Sequence, residues 1–380
     1  MRETSAARAD MAQEHFIETG EHTFYGEYIY DQIIPQDHFF RKLNEMLDWR
    51  NYSRKMMRWY QGIAQYGRPP FDPVVLLKML LVAYLYNLSE RQVEAYINDS
   101  MSAKYFLGLG VDQTAPDHST LSKFKERMIE RKRELKLEQL LEEIVQTALE
   151  KGIHFGSIQV VDSTHSIADV NTAKEENRRK GGKGPTDPDA QWGAKGKHSI
   201  PGPDGTKTRQ VKFFHGYKAH VSLNAENHLI TSVIVTPGNA FDGHYLPDLI
   251  AKDQAQGLPV EIVTADRGYD DIQNHLYLQQ QGIHSAICLK SYRTHKQDAN
   301  KQVWVALKAK PTYQQGVRER YTIERKFGEC KRQHGLGRCR YRGLERYEIQ
   351  ANLTAITLNL KRMVKLLYGV NLRNPAPVTA

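Results

Sequence analysis

The chain has 380 residues, an ordinary hydrophobic fraction of 40%, a formal net charge of +9 and a pI near 9.2. That length supports one large domain plus a smaller one with real cores, in a soluble globular protein whose basic excess suits a polyanionic partner. Three cysteines (Cys288, Cys330, Cys339) are too few and too odd in number for a disulfide framework, and no signal peptide precedes the first helical pattern, which together fit a reducing cytoplasm.

Residues 1–35 are polar, then Tyr-rich, with no clear period; they read as a mobile start followed by an extended or irregular segment. From Asp37, apolar residues recur at threes and fours (Phe39, Phe40, Leu43, Met46, Leu47), the spacing of a helix that ends near Asn51. Arg68-Pro69-Pro70 then breaks the chain. Asp72 and Pro73 supply an N-cap and a first-turn proline for a helix running to about Tyr86. Its apolar run, 74–88, contains Lys78 and is shorter than the roughly 20 residues of a bilayer crossing, so it reads as a core helix.

Ser89-Glu90-Arg91-Gln92 is a capping box opening the next helix, and 106–110 (FLGLG) reads as a loop. A second start at Pro116-Asp117 leads into a helix presenting His118, Ser119, Thr120, Lys123 and Lys125. Two short helices joined by a turn resemble a helix-turn-helix unit, whose second helix meets base edges or phosphates; a plain helical bundle fits the same pattern. A further helix over 132–151 has Leu135, Leu137, Leu140, Leu141, Ile144, Val145 and Ala148 to bury, so residues 1–150 are expected to be all-α.

The period changes at Gly156. Residues 157–164 (SIQVVDST) read as a buried strand ending in Asp162. Residues 174–209, rich in Gly, Lys and Pro without an apolar period, read as a long flexible loop beside a nucleic-acid path. Residues 213–223 and 228–236 form a hairpin, 241–254 a helix, and 260–266 (VEIVTAD) a second strand ending in an acid, Asp266. A helix to about Gln280 and a short strand at 285–289 follow.

Residues 318–346 hold ten Arg/Lys against four Glu, with Tyr321, Phe327 and Tyr341 between them, which is an electrostatic footprint for nucleic acid. Within this stretch Arg320, Glu324, Phe327 and Lys331 share one arc of a helix, and Ile323 and Phe327 turn that arc toward the protein. Glu324 is therefore expected to be a buried carboxylate between two cations, in need of partners. Zinc on Cys330, His334 and Cys339 lacks a CxxC pair and a fourth ligand. Gly335 and Gly337 with Arg338, Arg340 and Arg342 make the approach to the final helix an expected DNA-contact segment, and that helix carries an apolar stripe from Ile349 to Leu367, expected to pack on the sheet.

Strand-end Asp162, strand-end Asp266 and helical Glu324 can converge to hold two Mg²⁺ or Mn²⁺ ions roughly 3.5 to 4 Å apart, since hard ions prefer oxygen ligands. Such a pair activates a water or 3′-OH and stabilises the leaving oxygen at phosphorus, while Arg320 and Lys331 hold phosphates.

Here the chain resembles the DDE transposases of bacterial insertion sequences. The matching pieces are VVDST around Asp162, HGYKAHVSLN at 215–224, TADRGYD around Asp266, and the signature Tyr-x2-Arg-x3-Glu-x6-Lys. That signature gives Arg320, Glu324 and Lys331, with Val317 in the tyrosine's place. FDPVVLLKMLLVAYLYNLSERQVE and PDHSTLSKFKERM look like the helical N-terminal domain of such enzymes. The resemblance implies an α/β fold: a ribonuclease-H-like mixed sheet flanked by helices over 155–370, preceded by an all-α DNA-binding domain over 1–150. It also implies Mg²⁺-dependent cleavage at element ends followed by strand transfer into target DNA, with Asp162, Asp266 and Glu324 as metal ligands. Arg320 and Lys331 would contact DNA near the cut, and the N-terminal helices would recognise terminal inverted repeats. A homodimer working on double-stranded DNA, in a bacterial cytoplasm at the nucleoid, completes the expectation. Two other readings use the same residues: a catalytically silent sequence-specific DNA-binding protein, and a structure-specific nuclease.

Overall fold

The computed structural model describes residues 16–17, 24–60, 69–201, 207–295 and 300–372. The chain divides into two units, Met1–Thr147 with Ile356–Ala380, and Ala148–Ala355. The catalytic part read from sequence reaches residue 370, whereas in the fold everything from Ile356 onward belongs with the helical unit.

The first unit is helical. Much of the start expected to be mobile lies outside the described residues, as does the break at Arg68. From Phe24, however, the segment expected to be irregular is a helix, α1 (Phe24–Ile33). The single helix expected to end near Asn51 is two, α2 (Phe39–Met46) and α3 (Trp49–Met56). Leu47 is extended, and the Asp48 side chain accepts the Asn51 N–H, starting a new helix where periodicity alone suggested an end. α4 (Pro73–Leu85) begins as expected, with Asp72 accepting from the Val74 N–H, and it is buried almost all round. α5 (Glu90–Asp99) opens on the Ser89/Gln92 capping box, both halves of which form.

Residues 106 and 107, expected in a loop, end a further helix, α6 (Met101–Leu107), which Ser100 caps and left-handed Gly108 (φ 77°) closes. α7 (His118–Glu130) starts at Asp117 as expected. α8 (Leu137–Glu150) begins later than residue 132. Between α5 and α7 stand α6 and the loop 108–117, not the three- or four-residue turn of a helix-turn-helix. Lys125, expected on the presented face, is buried and paired with Glu90. No single helix among the described residues is long and apolar enough to cross a membrane; α4 and α5 meet that test only as a pair bent by 102°.

The second unit is a mixed sheet. β1 (Ile158–Ile167) lies antiparallel to β3 (Lys207–Asn224), which also pairs antiparallel with β4 (Ile230–Pro237). On its other side β1 runs parallel to β5 (Ile262–Ala265), and β5 parallel to β6 (His284–Ile287). An antiparallel meander continued by two parallel strands is the ribonuclease-H-like arrangement. The stretch 174–209 is not a structureless loop. It holds α9 (Thr172–Lys180) and β2 (Gln191–Pro201), and β2 pairs with residues 207–216 of β3. Gln191, Trp192, Ala194, Lys195 and Gly196 are exposed, and a strand that starts so carries no apolar alternation, so its sequence looks like a loop.

On one sheet face Val161, Val263, Ala265 and Ile287 pack with Leu246, Leu249 and Ile250 of α10 (Leu246–Ala255), Leu278 of α11 (Ile272–Gln280) and Tyr269. The segment expected to be helical from residue 241 starts as a 3-10 turn, Asp242–Tyr245, ahead of α10. α12 (Lys301–Ala309) and α13 (Pro311–Glu319) follow, then α14 (Tyr321–Gln333) and α15 (Leu344–Tyr368). α13 presses on the opposite face, where a Cβ on Gly316 would collide with Ala286 and come within 3.0 Å of Ile262. Tyr347 of α15 stacks on Tyr217 of β3 at 5.0 Å, so the early part of this helix does lie on the sheet.

Because α13 leads directly into Arg320 and Glu324, its packing sets their height above the strands. Gly316→Val is expected to lower stability by about 1–3 kcal/mol through overpacking. An unchanged urea midpoint for this variant would show that α13 does not bear on Ala286.

Candidate active site

The register Val161↔Ala265 between parallel β1 and β5 puts the next residue of each strand path, Asp162 and Asp266, side by side. Asp266 directly follows β5, whereas Asp162, expected at a strand end, lies midway along β1, which runs on to Ile167 paired with β3. Neighbouring strands are about 4.8 Å apart, so two carboxyl groups so placed repel unless a cation lies between them. Backbone N–H groups hold each one: Ser163 donates to Asp162 Oδ1 and Gly268 to Asp266 Oδ1, both at 2.7 Å. A side chain on Gly268 would crowd the Asp266 carboxylate, with a Cβ 2.9 Å from Oδ1. Burial, and then the Asp266 charge, push the Asp162 carboxyl up to about 7; burial likewise raises Asp266.

Two residues not singled out in the sequence join them. Asp242, at the start of its 3-10 turn, adds its charge to both acids and is tied to Lys218 at 2.8 Å. Tyr269 is fully buried. Burial and then the charges of Asp162, Asp242 and Asp266 hold its phenol well above the ordinary range. The signal for Tyr269 was present in the motif D-R-G-Y, where only the aspartate was used. Asp242 follows a strand the sequence revealed, but nothing local marks it as facing the same centre.

The loop after Asp266 is anchored by Asp270. Its buried carboxylate accepts from the Lys290 N–H at 2.7 Å and meets His275 at 3.1 Å and Arg293 at 3.4 Å. Despite burial, these partners keep its pKa low.

Glu324 departs from expectation. Ile323 and Phe327 are buried, but the Glu324 side chain is 55% exposed and is held by Arg320 at 2.6 Å rather than enclosed. Arg320 sits at the junction of α13 and α14, and a residue one step around a helix from a buried position need not itself be buried. Among the described residues, the three-residue group whose ligand atoms lie within 4.8 Å of one another is Glu94, Asp117 and His118, not Asp162, Asp266 and Glu324. There the His118 backbone N–H donates to Glu94 at 2.9 Å and the His118 ring meets it at 2.7 Å, a helix-start arrangement complete without an ion. Ser119 and Lys123 are both exposed.

Cations surround the acid pair. Lys331 is partly buried, and burial, then Lys195, press its ammonium down to about 8, with Asp162 opposing. His165 is pushed to about 4 by burial and by Lys331, Lys195 and Lys218. Lys195 lies in the stretch read as a loop. Arg338 and Arg342 reach Asp169 at 3.6 and 4.0 Å with their side chains largely exposed; Arg340 is partly buried. The buried Cys330 thiol is pushed up to about 12, as expected of an inert core cysteine.

The donor set fits hard divalent ions. It is all oxygen, and Asp162 and Asp266 form an acid pair whose mutual repulsion a cation would relieve. Fold and acid pair together define a class, the ribonuclease-H-like enzymes acting at phosphodiesters. Residues 153–360 match the family described as Transposase DDE domain, and residues 28–127 match the Transposase domain DUF772. The chain belongs to the DDE transposases, enzymes that cleave DNA and transfer its strands using divalent metal. Among solved structures, the piggyBac transposase synaptic complex with hairpin DNA, seen by cryo-EM, is 10% identical with a TM-score of 0.38, covering 91% of this chain and 76% of that one. The Mos1 transposase paired-end complex with left transposon end is 11% identical with a TM-score of 0.19, covering 76% of this chain and 88% of that one.

The raised Asp162 carboxyl makes a prediction about pH. Its folded pKa exceeds the unfolded value, so without metal its ionisation destabilises the fold progressively from about pH 4 to about pH 7, and fully above that. Asp162→Asn is therefore expected to stabilise the metal-free protein by about 1–3 kcal/mol at pH 8 and to have little effect at pH 4. Thermal melts in EDTA at the two pH values measure this; equal effects at both would contradict it.

Proposed function

We propose that Asp162, Asp266 and Glu324 are the metal ligands of this transposase, holding two Mg²⁺ or Mn²⁺ ions. The adjacency of Asp162 and Asp266 across parallel strands, with the Asp266 charge adding to burial in raising Asp162, carries this reading. Ions bound there would lower the pKa of an attacking water or 3′-OH and stabilise the oxygen that leaves phosphorus. The chain's own residues do the rest. The Ser163 and Gly268 N–H groups aim the two aspartates, and the Asp270 cluster fixes the loop behind Asp266. Lys331 and Arg320 hold phosphates of the strand being cut, and Arg320, in turning to a phosphate, releases Glu324 toward the other acids. Arg338, Arg340 and Arg342 extend the cationic path along the DNA.

The helical unit reads the terminal inverted repeats, with His118, Ser119 and Lys123 at the start of α7 in contact with DNA. His118 acts there while tied to Glu94, so Ser119 and Lys123 carry more of the contact. Two copies pair the element ends as a homodimer, acting at the nucleoid in a bacterial cytoplasm.

Cleavage of DNA bearing the repeats that bracket the reading frame, with Mg²⁺, tests the acids. Asp162→Ala, Asp266→Ala and Glu324→Ala should each lose about two orders of magnitude or more in rate while still binding DNA. One variant cutting at the wild-type rate would remove that residue from the mechanism. Arg320→Gln is expected to weaken DNA binding uniformly across sequences and to flatten the log–log salt dependence by about one unit. A salt slope equal to wild type would show that Arg320 stays on Glu324 when DNA is bound.

A further inference from the structure

β3 continues past the ends of both of its sheet neighbours. β1 pairs with it only as far as Gly216 and β4 only as far as Tyr217, while residues 207–216 pair with β2 alone apart from that last position. Beyond Gly216 the two strands thus form a ribbon with no third strand among the described residues. The ribbon is about 30 Å long at 3.4 Å per residue, close to one helical turn of duplex DNA. Its paired register shifts between Ala194 and Lys197, where Gly196 is left-handed at φ 62°.

The ribbon is unusual in two respects. Residues 191–216 include five Lys/Arg (Lys195, Lys197, Lys207, Arg209, Lys212) against one acid, Asp204. On it stand two of the most exposed aromatic side chains of the described residues, Trp192 at 58% and Phe213 at 65%. Trp192 is directly opposite His215, and Ala194 opposite Phe213. Directly opposed residues share a face, so Trp192, Ala194 and Phe213 form one apolar face, while the other turns Phe214 inward against His165 at 4.7 Å. Lys195 lies within electrostatic reach of Lys331 beside the acid pair, so the ribbon starts at the catalytic centre.

An exposed aromatic face wants an apolar partner, and the surrounding charge requires that partner to be a polyanion. Duplex DNA satisfies both demands in its major groove, which admits a two-stranded ribbon and presents the thymine 5-methyl groups between two rows of phosphates. We propose that the β2/β3 ribbon lies in the major groove of the duplex flanking the cut, with Trp192 and Phe213 against thymine methyls, while Lys195 and Lys212, on the ribbon's other face, reach to the phosphates that flank the groove. This rests on DNA being the substrate but not on which carboxylates bind metal.

The probe is a duplex of about three helical turns ending in the repeat that brackets the reading frame, and the same duplex with uracil for thymine in the turn beside the cut. Binding is read by fluorescence anisotropy in EDTA. Removing the methyl groups should weaken wild-type binding about three- to tenfold. The double variant Trp192→Ala, Phe213→Ala should bind the thymine duplex as weakly as wild type binds the uracil duplex, and should no longer distinguish them. Because both side chains are exposed, its melting temperature should match wild type. A double variant that keeps wild-type affinity and thymine preference overturns the proposal. So does a result in which only Lys212→Ala weakens binding, because phosphate charge alone would then hold the ribbon. Binding is measured without metal, so an error in assigning Asp162, Asp266 or Glu324 leaves this result unchanged and the two failures remain distinct.

Discussion

Two carboxylates side by side on adjacent parallel strands repel each other, and in the second unit that repulsion is built in rather than relieved. The Val161↔Ala265 register fixes Asp162 beside Asp266 with backbone precision, because a one-residue slip would send one of them to the opposite face. N–H groups orient both, and Asp162 keeps its proton to near neutrality. A divalent ion lying between the two would relieve that repulsion, which is why the proposed metal site is placed here.

The lysines and arginines nearby stand a step back from the acids. Burial first, and then Lys331, Lys195 and Lys218, depress the His165 imidazole, and burial with Lys195 depresses the Lys331 ammonium. Like-charged groups held together need an anion just as the paired acids need a cation. A phosphodiester with its metals supplies both at once, which is the electrostatic logic of a DDE transposase. Arg320 belongs to both halves of this arrangement, since it holds Glu324 in the structure described and its charge also reaches Asp162 and Asp266.

Signals that act over a few residues were legible in the sequence. The caps at Asp72, Ser89 and Asp117 formed as read, because N-capping needs only a side-chain oxygen and an N–H two or three residues on. β1, the β3/β4 hairpin and β5 were legible from their apolar runs, although β1 continues past Asp162 to Ile167 because its far half pairs with β3. Asp48 was missed as a cap because it sits inside a continuous apolar period. β2 was missed because a ribbon exposed on one face and rich in Gly and Lys has no alternation to detect. The burial of Glu324 was misjudged because neighbours on a helix arc fix a direction to within tens of degrees, too coarse to decide whether a long side chain ends inside or outside.

By itself the sequence determined which residue types were available and on what kind of element each stands: an acid on each of two strands, a glutamate one turn into a basic helix, and an all-helical start. Only the tertiary structure decided that the two aspartates are neighbours, that Asp242 and Tyr269 face the same centre, and that β2 and β3 leave the sheet together as a ribbon. Strand order and register arise from pairings between residues up to about a hundred positions apart, and no local pattern of hydrophobicity or charge encodes them.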